Sequence, residues 1–247
     1  MKPKRVGIIG CGAIGSLIAE AVEKRTVAID KLILYDQDPE KAEHLQSSLS
    51  VPTTIVSNLD SMLKSHPSII VEAASQEAAR ECMNSIIGSN IELIVMSVGA
   101  LLDSRLRNKR IHTPSGAIGG LDAISSAALA GIDQVVLTSI KHPNTLDMHD
   151  QQEKLIYEGT AKEAVRRFPR EMNVAATLAL TVPPDKLLVR VVSNPNISRN
   201  AHEIRVKWAY GDMSFKFENE PHPDNPRTSA LAAWSAIKLL KDLLDTV

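Results

Sequence analysis

The chain is poor in aromatic residues, poor in cysteine and without any long apolar run, and each shortage excludes something. Phe, Tyr and Trp make up 3% of it, too little for the stacking platforms with which proteins hold single-stranded nucleic acid. Two cysteines, Cys11 and Cys82, supply neither a disulfide framework nor a zinc ligand set, so the expected compartment is a reducing one, the cytoplasm. No apolar stretch reaches the roughly 18–20 residues of a membrane span. A formal net charge of −1 gives no reason to expect nucleic acid or an anionic membrane as partner. Lys2, Lys4 and Arg5 before an apolar run mimic a secretory leader. The run ends in glycines, however, and Glu20, Glu23 and Lys24 soon follow.

What is present is an ordinary globular composition, 44% hydrophobic and 23% charged over 247 residues, enough for two modest domains. Its most informative stretch is Val6-Gly7-Ile8-Ile9-Gly10-Cys11-Gly12-Ala13-Ile14-Gly15. A β-branched run ends in Gly-x-Gly-x-x-Gly, and a helical pattern (Leu17, Ile18, Ala21, Val22) begins at once. In a strand–turn–helix unit the first glycine permits a tight turn, the second lets the backbone approach a pyrophosphate, and the third lets helix and strand pack closely. The helix N-terminus adds unpaired N–H groups and the positive end of a dipole. Gly10, Gly12, Ala13 and Ile14 are thus candidate cofactor contacts. A second apolar run, Leu32-Ile33-Leu34-Tyr35, ends in Asp36, 21 residues after Gly15. A carboxylate there can accept both hydroxyls of an adenosine ribose and repels a 2′-phosphate, which favours NAD without excluding NADP. Cys11, inside the loop, reads as a small side chain rather than a reactive thiol.

The first hundred residues alternate strand and helix. Asp38-Pro39 opens a helix as N-cap and first helical residue, expected to run to about Leu49. A strand at 54–56, a helix at 59–64, a strand at 68–74, a helix at 76–87 and a strand at 91–96 follow. Strands of this apolar kind belong to a parallel sheet covered on both faces. Their carboxyl ends carry Ala73 and then Ser97 and Gly99, where ligands of such sheets sit. After Arg110 the rhythm changes. A small-residue loop at 113–120 leads into a helix at 121–130, followed by longer strand-like runs at 134–141, 155–158, 187–192, 203–210 and 213–217. Thr160-x-x-Glu163 is a capping box, residues 173–180 a small-residue helix, and Pro221-x-Pro223-x-x-Pro226 a loop. Residues 228–244 form an amphipathic terminal helix (Leu231, Trp234, Ile237, Leu240, Leu244). The expected fold is α/β: an N-terminal Rossmann-type doubly wound parallel sheet plus a smaller α+β domain with a mixed or antiparallel sheet. The divisions are 1–111 for the dinucleotide domain, 112–224 for the substrate domain and 225–247 for a helix packing back on the first.

Chemistry should come from the second half. Ser115-Gly116-Ala117-Ile118-Gly119-Gly120 either forms an anion nest of successive N–H groups or is only a connector between domains. Asn173 either caps its helix or meets a ligand. The polar loop 194–200 feeds a strand, with His202 at the junction. Histidine suits proton transfer near neutrality, although a structural role fits the pattern as well. His142, His149, Asp147 and Asp150 match no standard metal signature, and no metal is expected.

These stretches together resemble the L-aspartate dehydrogenase family, through residues 7–16, Ser97-Val98-Gly99-Ala100, 114–122, 168–177, 199–204 and 225–230. The resemblance runs end to end. It implies oxidation of L-aspartate to iminoaspartate with NAD or NADP, or the reverse amination of oxaloacetate with ammonia, in a route to quinolinate and NAD. It also implies that Ala117 and Asn173 contact the cofactor and that His202 acts at the active centre. For the substrate carboxylates, Ser115, Gly116 and the loop beginning at Asn194 are candidates, with Arg199 and Lys141 as counter-charges that the sequence does not place. A homodimer is expected from the likeness and from an open sheet in the second domain. The alternatives are a non-catalytic NAD/NADH sensor, which needs no protic residue such as His202, and an imine reductase of the dihydrodipicolinate reductase type, whose basic signature is missing.

Overall fold

A computed structural model describes residues 3–86, 88–103, 108–222 and 225–246. In chain order the elements are β1 (Arg5–Ile9), α1 (Ala13–Glu23), β2 (Lys31–Tyr35), α2 (Pro39–Ser47), β3 (Thr53–Ile55), α3 (Leu59–Lys64), β4 (Ile69–Glu72), α4 (Gln76–Ser85), β5 (Glu92–Val95) and β6 (Ile111–His112). Then follow α5 (Leu121–Ala130), β7 (Ile132–Lys141), β8 (Lys154–Gly159), α6 (Ala161–Arg167), α7 (Asn173–Thr181), β9 (Leu187–Ser193), β10 (Asn200–Trp208), β11 (Gly211–Asn219), β12 (Pro221–His222), β13 (Asn225–Ser229) and α8 (Ala230–Thr246). Among the described residues no helix is long and apolar enough to cross a membrane.

The chain divides into two compact units, residues 1–114 with 232–247, and residues 115–231. The first is built on a six-stranded sheet of order β3-β2-β1-β4-β5-β6, parallel throughout. Strand order reverses between β1 and β4, the switch point at which open α/β sheets hold ligands. Alternate residues feed opposite cores. Ile8, Leu34, Val71 and Ile94 pack with Ile18 and Val22 of α1 and with Ala236, Ile237, Leu240 and Leu244 of α8. Ile9, Ile33, Ile70 and Leu93 pack on the other face with Leu59 and Met62 of α3 and Ala79, Cys82 and Met83 of α4. Local signals start the helices. Asp38 Oδ1 accepts from Glu40 N–H, Asn58 Oδ1 from Ser61 N–H and Ser75 Oγ from Ala78 N–H, each meeting a donor that the first turn leaves unpaired.

The second unit is a five-stranded sheet of order β11-β10-β7-β9-β8. β7 and β9 run parallel and the other neighbours antiparallel, so the sheet is mixed. Helices α5 and α7 contact its inner face, and Thr160 Oγ1 caps α6 by accepting from Glu163 N–H.

Several boundaries differ from the sequence reading. A sixth parallel strand, β6, follows Arg110 and is too short to show periodicity. Helix α2 stops at Ser47, and Ser48 and Leu49 turn back with their N–H groups on the carbonyls of Leu45 and Gln46. The proline-rich stretch expected as a loop pairs residues 221–222 with 225–229 as β12 and β13; Pro223 lies outside the described residues. Helix α8 therefore begins at Ala230 rather than 228. Its buried stripe is Ala233, Ala236, Ile237, Leu240 and Leu244, while Leu231 and Trp234 are exposed.

Candidate active site

In the first unit the three glycines of the loop stand in three different settings. Gly10 has φ +95°, and a Cβ there would lie 2.6 Å from the Ala73 carbonyl oxygen. The loop therefore threads directly past the end of β4, and only glycine can do so. A Cβ at Gly15 would run into the Gly10 carbonyl, so α1 packs on the loop at the closest approach available. Gly12, by contrast, is exposed and a Cβ on it would meet nothing within 4 Å. Its openness leaves room for a ligand at the N-terminus of α1, where Ala13 and Ile14 form the first helical residues.

Asp36 stands at the end of β2. One carboxylate oxygen accepts from Cys11 N–H at 2.6 Å and the other from Asp38 N–H at 2.9 Å. Each retains a lone pair for a further donor. The Cys11 thiol is pushed up to about 12 by burial and then by the Asp36 charge, so it stays protonated and inert.

The sequence reading passed over Glu72, the last residue of β4, which is fully buried. Its Oε1 accepts from Ala74 N–H, Ser75 N–H and Ser97 Oγ, and its Oε2 from Ser97 N–H, all within 2.8–3.0 Å. Burial raises its pKa against the pull of these donors. One carboxyl thus ties the ends of β4 and β5 together, fixing Ala73 and Ser97 beside the switch point, with Gly99 in the single 3₁₀ turn that follows. A lone carboxylate ending the otherwise apolar run Ile69-Ile70-Val71 was the available signal.

In the second unit the inner face of the sheet changes character along its length. Val135 and Leu137 of β7, Leu187, Val189 and Val191 of β9, and Ile204 and Val206 of β10 are buried and apolar. Towards the carboxyl ends of β7 and β9 the same face turns polar, with Ser139, Lys141, Ser193, Asn200 and His202 all buried. His202 is 1% exposed and stands opposite Ser139 in the β7–β10 register, its Nδ1 3.0 Å from Ser139 Oγ. With Nδ1 engaged, Nε2 is the nitrogen left to exchange a proton with a ligand. Burial first, and the Lys141 charge second, hold His202 well below the ordinary imidazole value, so the ring is neutral near neutrality. Lys141 is lowered from 10.5 to about 8 by burial, against the opposing pull of Glu171.

The small-residue loop before α5 is packed beside this group. Asn219 Nδ2 donates to the Ala117 carbonyl at 3.0 Å, a Cβ on Gly119 would touch Phe217 at 3.5 Å, and Gly120, at φ +74°, leaves no space for a side chain against Phe215. Phe217 is the cross-strand partner of His202, so the loop lies one strand away from it. Ala117 and Ile118 are buried; Ser115 and Gly116 are half-buried. Asn173 is the first residue of α7 rather than its N-cap, a position held by Met172. The chain just before it carries Glu171, which acts on Lys141, so the start of α7 belongs to the same neighbourhood.

Other candidates make contacts of their own. Asn194 donates from Nδ2 to Glu153 and accepts from Asn196 N–H, while its N–H closes on the Lys141 carbonyl at 2.9 Å. Arg199 is exposed and paired with Glu220. His142 Nδ1 accepts from Asn144 N–H at 3.3 Å and caps a 3₁₀ turn.

A parallel sheet of this order with a glycine loop at its switch point defines the class of dinucleotide-binding proteins, here with a second unit whose sheet bears a buried histidine. Comparison with known proteins narrows this. The NAD-binding domain profile of homoserine dehydrogenase matches residues 10–113, and the C-terminal domain profile of aspartate dehydrogenase matches residues 122–243. The chain is 40% identical to the L-aspartate dehydrogenase of Methanothermobacter thermautotrophicus over 98% of its own length and 96% of that protein's. It is 38% identical to that of Methanosarcina mazei, covering 98% of each. The crystal structure of aspartate dehydrogenase from Thermotoga maritima superposes with a TM-score of 0.78 at 29% identity, over 99% of this chain and 98% of that one. The chain belongs to the L-aspartate dehydrogenase family.

Proposed function

We propose that the protein oxidises L-aspartate to iminoaspartate with a nicotinamide dinucleotide and runs the reverse amination of oxaloacetate with ammonia, in a route to quinolinate and NAD. The observation that carries this is His202: buried, neutral, bonded through Nδ1 to Ser139, and set in a polar end of an otherwise apolar sheet face. The substrate ammonium must lose a proton before its nitrogen lone pair can assist departure of hydride from Cα. His202 is the proton acceptor, through Nε2, in the tautomer that donates from Nδ1 to Ser139. A charged imidazole has no lone pair to offer, and burial keeps this one neutral.

The residues of the first unit suit a dinucleotide. Gly12 leaves open space where the pyrophosphate approaches, with Gly10, Ala13 and Ile14 around it and Ala73, Ser97 and Gly99 along the sheet edge. When bound, the cofactor supplies the hydride acceptor. Asp36 favours NAD over NADP, since a carboxylate repels the 2′-phosphate. Ala117 and Asn173 contact the nicotinamide end, and Ser115, Gly116 and the backbone at Asn194 lie with the substrate. Two copies associate through the open face of the second sheet, which shows Val136, Ile140, Leu188 and Val192 half-buried with charged neighbours. The setting is cytoplasmic, with both cysteines buried and reduced.

Near-ultraviolet absorbance of the reduced nicotinamide tests the reading, with NAD or NADP offered alongside a panel of L- and D-amino acids. Reduction with L-aspartate alone is expected. His202→Ala should lower turnover about 10²–10⁴-fold while NADH still binds. Silence across the panel, or near-normal turnover in that variant, overturns the reading.

A further inference from the structure

We infer that Lys141 and Ser193 form an anion clamp that takes one carboxylate of a short dicarboxylate, the substrate specificity element of this site. The inference rests on the dehydrogenase reading for its substrate, but its evidence is separate. Lys141 and Ser193 end the parallel strands β7 and β9 and are direct register partners, so both side chains stand on the same face. Lys141 is 4% exposed, and the charge that acts on its ammonium is that of Glu171. The Ser193 hydroxyl is fully buried and, among the described residues, has no hydrogen-bond partner. An ammonium carries three donors and a hydroxyl one. Leaving a buried hydroxyl unmet is costly, and here one lies beside a buried lysine.

The neighbours decide the kind of ligand. Asn194 N–H holds the Lys141 carbonyl, so the backbone at the clamp is fixed. Ser139 and Lys141 alternate on one strand face, which puts the clamp one pleat along from the Ser139–His202 pair. Glu171 attracts Lys141 only enough to offset part of the burial effect. A lysine and a hydroxyl donating together match the two oxygens of a carboxylate. A group held there has its next carbons reaching towards His202, as a four-carbon dicarboxylate requires. Arg199, the other cation the sequence offered, is engaged with Glu220 at the surface.

Calorimetric titration of the NADH-bound protein with succinate, a dicarboxylate that lacks the amine, isolates this site from the chemistry. Wild-type protein should bind succinate, Lys141→Met should weaken it about 10- to 100-fold, and Ser193→Ala about 5- to 10-fold. NADH affinity should stay unchanged in both. With L-aspartate, the variants should raise KM far more than they lower kcat, an effect that a structural role does not produce. Equal succinate affinity in wild type and Lys141→Met, or none in wild type, overturns the clamp. If Lys141→Met fails to fold, Ser193→Ala decides alone, by the same criterion. A wild-type protein that binds succinate through Lys141 but never reduces the nicotinamide with L-aspartate overturns the dehydrogenase reading and leaves the clamp standing. Turnover of L-aspartate with an unchanged KM in the variants overturns the clamp alone.

Discussion

Lys141→Met should make this protein more stable while impairing it. The lysine is lowered from its ordinary 10.5 to about 8 in the fold, with burial as the dominant cause. At about 1.4 kcal/mol per pH unit, holding it charged near neutrality costs the native state about 3 kcal/mol, Glu171 included. Methionine has similar length and no charge to desolvate. For a chain of this size a gain of 1 kcal/mol moves Tm by about 2–4 °C, so the variant should melt about 6–12 °C higher near neutral pH. The pH dependence carries a sign as well. Between about 8 and 10.5 the unfolded chain binds a proton at this lysine that the folded chain has released, so wild-type stability rises with pH across that window. The variant lacks that contribution. Its advantage is full below about pH 8 and gone by about pH 10.5. Calorimetric melts of both proteins at neutral and alkaline pH measure this directly. A variant less stable than wild type at neutrality, or an advantage that persists unchanged into the alkaline range, would refute the reasoning.

Two further predictions concern the other elements of the site. Gly10→Ala places a Cβ 2.6 Å from the Ala73 carbonyl at φ +95° and should cost about 2–4 kcal/mol in urea unfolding. Gly12→Ala meets nothing within 4 Å and should leave stability within about 1 kcal/mol while weakening NADH about tenfold or more, because its methyl fills the space left for the pyrophosphate; equal behaviour of the two variants contradicts the division of labour. His202, held well below 6.5 in the fold, takes up its proton in the unfolded chain first, so stability should fall as pH drops below about 6.5. His202→Phe should flatten that decline, and an identical acid slope in both proteins counts against the buried neutral imidazole.

Much of the first unit was legible because its signals are local. A glycine triplet between an apolar run and a helical pattern, the cap at Asp38, and Asp36 at a strand end each act within a few residues. Where the sequence misled, the cause was tertiary. Pairing with β5 makes a strand of Ile111–His112 and pairing with residues 221–222 makes one of residues 225–229, neither long enough to announce itself by alternation. In α8 alanines rather than Leu231 and Trp234 face the core, because small side chains let the helix lie close.

The sequence by itself determined the dinucleotide unit and the changeover to a second sheet, since composition and spacing of near neighbours fix strand, turn and helix; His202 stood out only through the family resemblance. Only the tertiary structure decided which residues surround that histidine. Glu72 gathers donors from two loops, Ser139 meets His202 from 63 positions away, and Lys141 and Ser193 become neighbours through strand register. Register is set by the packing of whole faces, and desolvation by everything buried around a group, so neither can be read from a residue's own neighbours in the chain.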